Sequence, residues 1–255
     1  MDWESRAVES EIAFSQALGG QPVEYPDFIH MCNPYVPWNG DFNRAVGVKL
    51  TDLGSFDELV SEVERIHRAK GLDRPNRYDL YPPGLDPGLW QGPLRAQGYH
   101  LETAIFFSAP ALAESLPEEF TLTIPAEEEY LAWFRALVQA RGYYTAEWFE
   151  QVRPLQLGFT KLFRPYWLFR SGELVAWVYC AHLGEYTRLF EVEVDESCRG
   201  QGLGTLLLHA VRAESGRLGA GAVLLQTGEE LRGFYERAGF RECSRSSIIW
   251  RMSAG

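Results

Sequence analysis

The sequence predicts an α/β protein built as two units, each a mixed and mostly antiparallel sheet flanked by helices. Three observations lead there. Segments of helical and strand periodicity alternate along the whole chain. The proline-bounded stretch Pro110 to Pro117 interrupts the pattern, which restarts at Phe120 and divides 1–112 from 118–255. A short pattern also occurs twice, Leu94-Arg-Ala-Gln-Gly-Tyr99 and Tyr235-Glu-Arg-Ala-Gly-Phe240, each followed by a strand. Chance also produces an echo of this length, so it suggests tandem units without requiring them.

In the first unit, Asp2 to Leu18 reads as a helix closed by Gly19-Gly20. Gln21 to Gly40, rich in proline and aromatics, reads as irregular. Arg44 to Leu50 reads as a strand. Ser55 is the expected N-cap of the next helix, with Glu58 as its capping-box partner. Phe56, Leu59, Val60, Val63 and Ile66 fall on one face of that helix, which stops near Gly71. A strand at Arg77 to Tyr81, a helix at Pro87 to Gln97 and a strand at Thr103 to Ser108 complete the unit.

The second unit opens with a strand at Phe120 to Ile124. Two amphipathic helices follow, Ala126 to Arg141 and Thr145 to Gln151. A meander of three strands comes next, at Tyr166 to Ser171, Leu174 to His182 and Thr187 to Val194. A long helix from Gly202 to Leu218 leads to a buried strand, Val223 to Gln226. Thr227, with Glu230 three residues on, is the expected cap of a last helix, which Gly239 ends. The strand Ser246 to Met252 closes the chain.

Asp and Glu number 35 against 24 Lys and Arg, a net charge of -11. That argues against a nucleic-acid binder, which needs a basic face. It suits a cationic small molecule, although solubility alone explains it as well. The four cysteines carry no C-x-x-C spacing, so neither a zinc site nor a disulfide framework is expected, and a reducing compartment is. The start of the chain lacks the layout of a signal peptide, and no apolar run has spanning length. A cytoplasmic protein without a membrane partner is expected.

The chemistry-bearing stretch is Val192-Glu-Val-Asp-Glu-Ser-Cys-Arg-Gly-Gln-Gly-Leu-Gly-Thr205. A strand runs into a glycine-dense turn that opens the long helix. Helix N-termini present unsatisfied N–H groups and a partial positive charge. Glycines let the backbone approach a ligand and take positive φ. Together they cradle phosphate, with Arg199 adding a cation. A P-loop would need Gly-Lys-Ser/Thr, which is absent. A dinucleotide fingerprint counted from Gly200 fails at Thr205.

The spacing Arg199, Gly202, Gly204, together with Phe234-Tyr-Glu-Arg-Ala-Gly-Phe240, resembles the GNAT (Gcn5-related N-acetyltransferase) superfamily over about 120–252. The resemblance implies acetyl-CoA as cofactor. It places the pyrophosphate on Arg199, Gly200, Gln201, Gly202, Leu203, Gly204 and Thr205, and the pantetheine arm on Val192 and Val194. It makes Tyr235 the acid that protonates the departing thiolate. A carboxylate on the preceding strand, Glu191 or Glu193, would take the proton of a primary amine. By strict alternation both glutamates face away from Val192 and Val194. Two positions depart from the family pattern: Gly228 stands where an Asn is usual, and Glu196 where a Pro is usual.

The turn after Arg44 to Leu50, Thr51-Asp-Leu-Gly-Ser-Phe56, has one glycine, no arginine and an acid. The first unit therefore reads as a degenerate copy without a cofactor site. A homodimer is common for the resemblance. His182 is a further base candidate, Cys180 and Cys198 are candidate nucleophiles, and the rings of Tyr143, Tyr144, Trp148 and Trp167 are candidate substrate walls. A structural histidine and small buried cysteines are the safer defaults, and core packing explains the rings at least as well. A non-catalytic acyl-CoA sensor is the alternative reading.

Overall fold

The computed structural model describes residues 2–17, 19–33, 43–50, 52–73, 75–80, 84–113, 116–142 and 145–252. In chain order the elements are α1 (Trp3–Ala17), β1 (Gln21–Tyr25), β2 (Phe28–Cys32), β3 (Arg44–Val48), α2 (Leu53–Lys70), β4 (Arg77–Leu80), α3 (Pro87–Ala96) and β5 (Tyr99–Pro110). There follow β6 (Phe120–Thr123), α4 (Glu127–Ala140), α5 (Ala146–Leu162), β7 (Arg164–Arg170), β8 (Glu173–Leu183), β9 (Tyr186–Val194), α6 (Leu203–Arg217), β10 (Ala222–Thr227), α7 (Arg232–Arg237) and β11 (Arg241–Arg251). The fold is α/β, as the alternating periods predict.

The chain forms two compact units that interleave along the sequence. One comprises 1–107, 226–232 and 242–255, the other 108–225 and 233–241. The C-terminal strand therefore lies in the first unit, where β11 pairs antiparallel with β4 (Ser247 opposite Leu80, Trp250 opposite Arg77). Read along the sequence, that strand falls in 118–255. Nothing local in Arg241–Arg251 names its partner strand, which only the tertiary fold selects.

In the first unit the strands run β1-β2-β3-β4-β11-β5. The pairs β1·β2 and β2·β3 are antiparallel, and β3·β4 is parallel, with α2 as its crossover. The hairpin β1–β2 replaces the irregular run expected from Gln21. Pairing with β3 stabilises a segment whose own propensity is weak; residues 34–42 lie outside the described set. Helix α2 starts two residues ahead of Ser55, because Asp52 is its N-cap. The Asp52 carboxylate accepts from Ser55 N at 2.8 Å, and Ser55 Oγ accepts from Asp52 N at 3.2 Å. Ser55 is thus the reciprocal partner of a capping box set three residues earlier than expected. Phe56, Leu59, Val63 and Ile66 of α2 are buried against Tyr78, Leu80 and Leu101, a single apolar core.

In the second unit the order is β10-β9-β8-β7-β6. The pairs β6·β7, β7·β8 and β8·β9 are antiparallel, and β9·β10 is parallel, with α6 as crossover. Helix α5 runs to Leu162, well past the expected end at Gln151, and carries Pro154 inside it. A mid-helix proline costs about 3 kcal/mol. Burial of Phe149, Val152 and Phe159 on the sheet side offsets that cost, with Phe159 edge-on to Tyr179 at 5.3 Å. Thr227 does not cap the last helix. Gly228 precedes a 3-10 turn, Glu229–Leu231, and α7 follows as a short six-residue helix. Gly239 ends α7 at φ 84°, and Gly98 ends α3 at φ 85°, so the sequence echo marks the same left-handed helix exit twice.

Candidate functional site

The site is built where β9 leaves its parallel neighbour. The ladder between β10 and β9 joins Ala222, Val223 and Leu224 to Tyr186, Thr187 and Arg188. β9 then continues through residues 189–194 beyond the last ladder pair among the described residues. On its other side β9 stays bound to β8, but the register shifts between Trp177 and Tyr179. Glu191 and Val192 stand there against the single residue Val178, and Glu191 takes φ 48°. This is a β-bulge, which re-aims side chains and bends the strand away from its neighbour.

The bulge breaks the strict alternation expected at the two glutamates. Glu193 lies opposite Trp177, and Phe190 lies opposite Tyr179. Directly opposed residues share a sheet face. Trp177 packs on Trp133 of α4 at 5.2 Å, and Tyr179 on Tyr130 at 6.1 Å, so this face looks toward α4 and α5. There Arg141, just past α4, donates from both Nη atoms to the Glu193 carboxylate, Nη1 reaching Oε1 at 3.3 Å. Tyr130 and Tyr179 join hydroxyls at 3.0 Å, and the Tyr130 hydroxyl donates to Gln156 Oε1 at 3.1 Å. Burial pushes the Tyr179 phenol well up, and the neighbouring Tyr130 and the Glu191 carboxylate push it the same way. Tyr130 responds to burial and to Glu191 likewise. Glu193 raises the Tyr179 phenol as well.

The glycine loop follows β9 through a 3-10 turn, Glu196–Cys198, whose N-cap Asp195 accepts from Ser197 N at 3.0 Å. Gly200 and Gly202 have φ 76° and 78°, with open space where a Cβ would stand. Gly202 is the N-cap of α6, and no side chain caps that helix. The first-turn N–H groups are thus left for a ligand. A Cβ on Gly204 would come within 3.0 Å of the Phe234 ring and 3.4 Å of Val194, so glycine there lets α6 approach α7. Arg199 lies at the mouth, 63 % exposed, with Nη1 3.6 Å from Glu196 and Nε 3.4 Å from the Val194 carbonyl. Arg170 at the end of β7 donates to Gln201 Oε1 at 2.8 Å. Two open positive-φ glycines and an uncapped helix start fit a diphosphate.

Tyr235 of α7 is buried, packed on Phe234 and Phe240 at 4.9 and 6.0 Å. Burial pushes its phenol up to about 12, while Arg188, the last ladder residue of β9, pulls it down. The proton is therefore held on the hydroxyl at neutral pH.

Other sequence candidates fall elsewhere. His182 sits between Tyr166 (Oη 3.1 Å from Nε2) and Thr187 (Oγ1 2.8 Å from Nδ1). Thr187 is seven residues up β9 from Val194, roughly 20 Å along the strand, so this network is at the far end of the sheet. Cys180 is fully buried, and burial pushes its thiol well up, which leaves it inert. Trp167 is core, packed on Trp133 at 5.3 Å. Tyr143 and Tyr144 lie outside the described residues. Arg141 and Arg170 carry no local sequence signal, since their partners are 52 and 31 residues away.

The first unit repeats the topology without the cradle. β3 and β4 remain paired to Val48–Leu80, around a bulge at Gly47 (φ 71°). The start of α2 is already closed by the Asp52 carboxylate. An acid seated on the first-turn N–H groups excludes an incoming phosphate by occupancy and by charge.

The parting strand pair and the uncapped helix start place this chain among α/β proteins with a glycine loop that has room for an anion. Residues 115–240 match the family model described as "Acetyltransferase (GNAT) family", and this part of the chain belongs to that family. Among solved structures, the chain is similar to a conserved protein of unknown function from Staphylococcus epidermidis (12 % identity, TM-score 0.70, covering 92 % of this chain and 96 % of that one). It is also similar to a GCN5-related N-acetyltransferase from Kribbella flavida (18 %, TM-score 0.65, covering 97 % and 96 %). A third is a GCN5-related N-acetyltransferase from Sphaerobacter thermophilus (18 %, TM-score 0.59, covering 88 % and 79 %). At these identities the likeness concerns the fold. No curated protein matches the sequence. Among the described residues, no helix is long and apolar enough to cross a membrane, and no group of three or more His, Cys, Asp or Glu could hold a metal ion.

Proposed function

We propose that the chain is an N-acyltransferase that moves an acetyl group from acetyl-CoA to a primary amine by direct attack. The observation that carries this reading is the uncapped start of α6, with Gly200 and Gly202 open at positive φ beside Arg199. Acetyl-CoA, when bound, supplies the acyl group as a thioester. The N–H groups from Gly200 to Thr205 hold its diphosphate, and residues 192–194, beyond the last β9·β10 ladder pair, hydrogen-bond its pantetheine amides. Tyr235 gives its proton to the leaving sulfur.

On the amine side, Glu191 is the base. Glu191 stands on the β9 bulge, and its charge raises the phenols of Tyr130 and Tyr179. A neutral amine is the nucleophile, so the carboxylate accepts its proton directly or through one water. The family membership of 115–240 supports this chemistry, and the capped start of α2 supports one cofactor site per chain. The acidic balance favours a cationic small-molecule amine.

The test is thermal unfolding of the wild type and Arg199→Glu with and without acetyl-CoA. A saturable rise in Tm for the wild type, lost in the variant, is expected. A folded wild type that gives no shift at millimolar ligand would leave the loop as a structural turn.

A further inference from the structure

The cradle includes a second cation. Arg170 ends β7, immediately before the turn Ser171-Gly172, whose φ values of 52° and 88° fix where the strand stops. Its backbone is held from both sides, opposite Phe120 of β6 and Glu173 of β8. The side chain reaches across to the glycine loop, where Nη1 donates to Gln201 Oε1 at 2.8 Å. Gln201 lies between the two open glycines, so the guanidinium sits beside the glycine loop.

Its charge is available there. Among the described residues no carboxylate forms an ion pair with Arg170, not even Glu173 across the hairpin, and Gln201 engages only one of its donors. Arg199 differs, because Glu196 at 3.6 Å partly offsets its charge. An arginine fork with unused donors beside uncapped helix N–H groups matches the geometry of a phosphate group.

We propose that Arg170 is a cofactor-contacting residue that donates to a phosphate oxygen of bound CoA. This rests on the CoA reading of the loop. The oxygen belongs either to the diphosphate or to the 3′-phosphate.

Calorimetric titration of the full chain with CoA and with dephospho-CoA tests it, using the wild type, Arg170→Ala, Arg170→Lys, Gln201→Ala and the Arg170→Ala/Gln201→Ala double variant. Arg170→Ala should weaken CoA about tenfold, the scale of one charge-assisted hydrogen bond. The loss should persist in the Gln201→Ala background, and Lys should restore part of the affinity. An equal loss with dephospho-CoA assigns the diphosphate; a loss seen only with CoA assigns the 3′-phosphate. Unchanged affinity in Arg170→Ala overturns the proposal, as does a loss that disappears once Gln201 is Ala, since Arg170 would then only hold the loop. A wild type that binds neither ligand removes the CoA reading itself. Binding lost in Arg199→Glu but kept in Arg170→Ala removes only the present proposal.

Discussion

Arg141 and Glu193 form a two-donor ion pair that ties the end of α4 to the end of strand β9. Two glutamates that are equivalent on paper become different in the fold. Glu193 takes a guanidinium from Arg141, and Glu191 stands on the bulge of the strand.

Glu191→Gln should therefore lower kcat by about 100-fold or more, the range for losing a general base. Glu193→Gln should cost much less. Steady-state rates of the two variants decide this, and a larger loss in Glu193→Gln would reverse the assignment.

Tyr235→Phe keeps the packing on Phe234 and Phe240 but removes the proton. Turnover should fall with the affinity for acetyl-CoA almost unchanged, because the hydroxyl acts on the leaving sulfur and not on binding. Since burial pushes the phenol up to about 12, the wild type should show no alkaline loss from this group below about pH 10. Equal turnover in Tyr235→Phe would end its role as acid.

Gly202 and Gly219 provide a matched pair. Both have positive φ, 78° and 89°, and open space on the Cβ side, at opposite ends of α6. Changing either to Ala should cost about 1–2 kcal/mol, the left-handed penalty for a side chain. Only Gly202→Ala should also weaken CoA, because its methyl group enters the phosphate space. Chemical denaturation read beside ligand titration separates the two effects. Loss of CoA affinity in both variants would mean that the loop responds to stability alone.

His30 of β2 is fully buried against His67 of α2, their rings 4.9 Å apart. Neither nitrogen of His30 has a hydrogen-bond partner among the described residues. Burial, then the nearby His67 and Lys70, hold its pKa down to about 3. The native state thus refuses a proton that the unfolded chain binds below about pH 6.5. Stability from this group is complete above that pH. It falls by about 1.4 kcal/mol per unit as the pH drops toward 3. His67 is lowered by burial and adds to the slope. Denaturation midpoints at pH 7, 6 and 5 should flatten in His30→Leu relative to wild type, and parallel slopes would show that other groups set the acid sensitivity.

Much of the fold was legible because it is local. The apolar spacing of Phe56, Leu59, Val63 and Ile66 makes α2 one-sided whatever it packs on, and Gly239 ends a helix through its own φ. The cradle is equally local, since Gly200, Gly202 and the start of α6 are neighbours in the chain. Element ends were less legible. Asp52 outcompetes Ser55 as a cap, and α5 passes through Pro154 because packing on Tyr179 outweighs propensity.

The sequence by itself determined the α/β class and the glycine-dense turn that opens α6, because residues close in the chain settle both of them. Only the tertiary structure decided that β9 bulges at Glu191, that Arg141 reaches Glu193, that Arg170 reaches Gln201, and that β11 joins β4. These depend on partners tens of residues away, and strand register and ion pairing are chosen by packing energies that no short window of sequence contains.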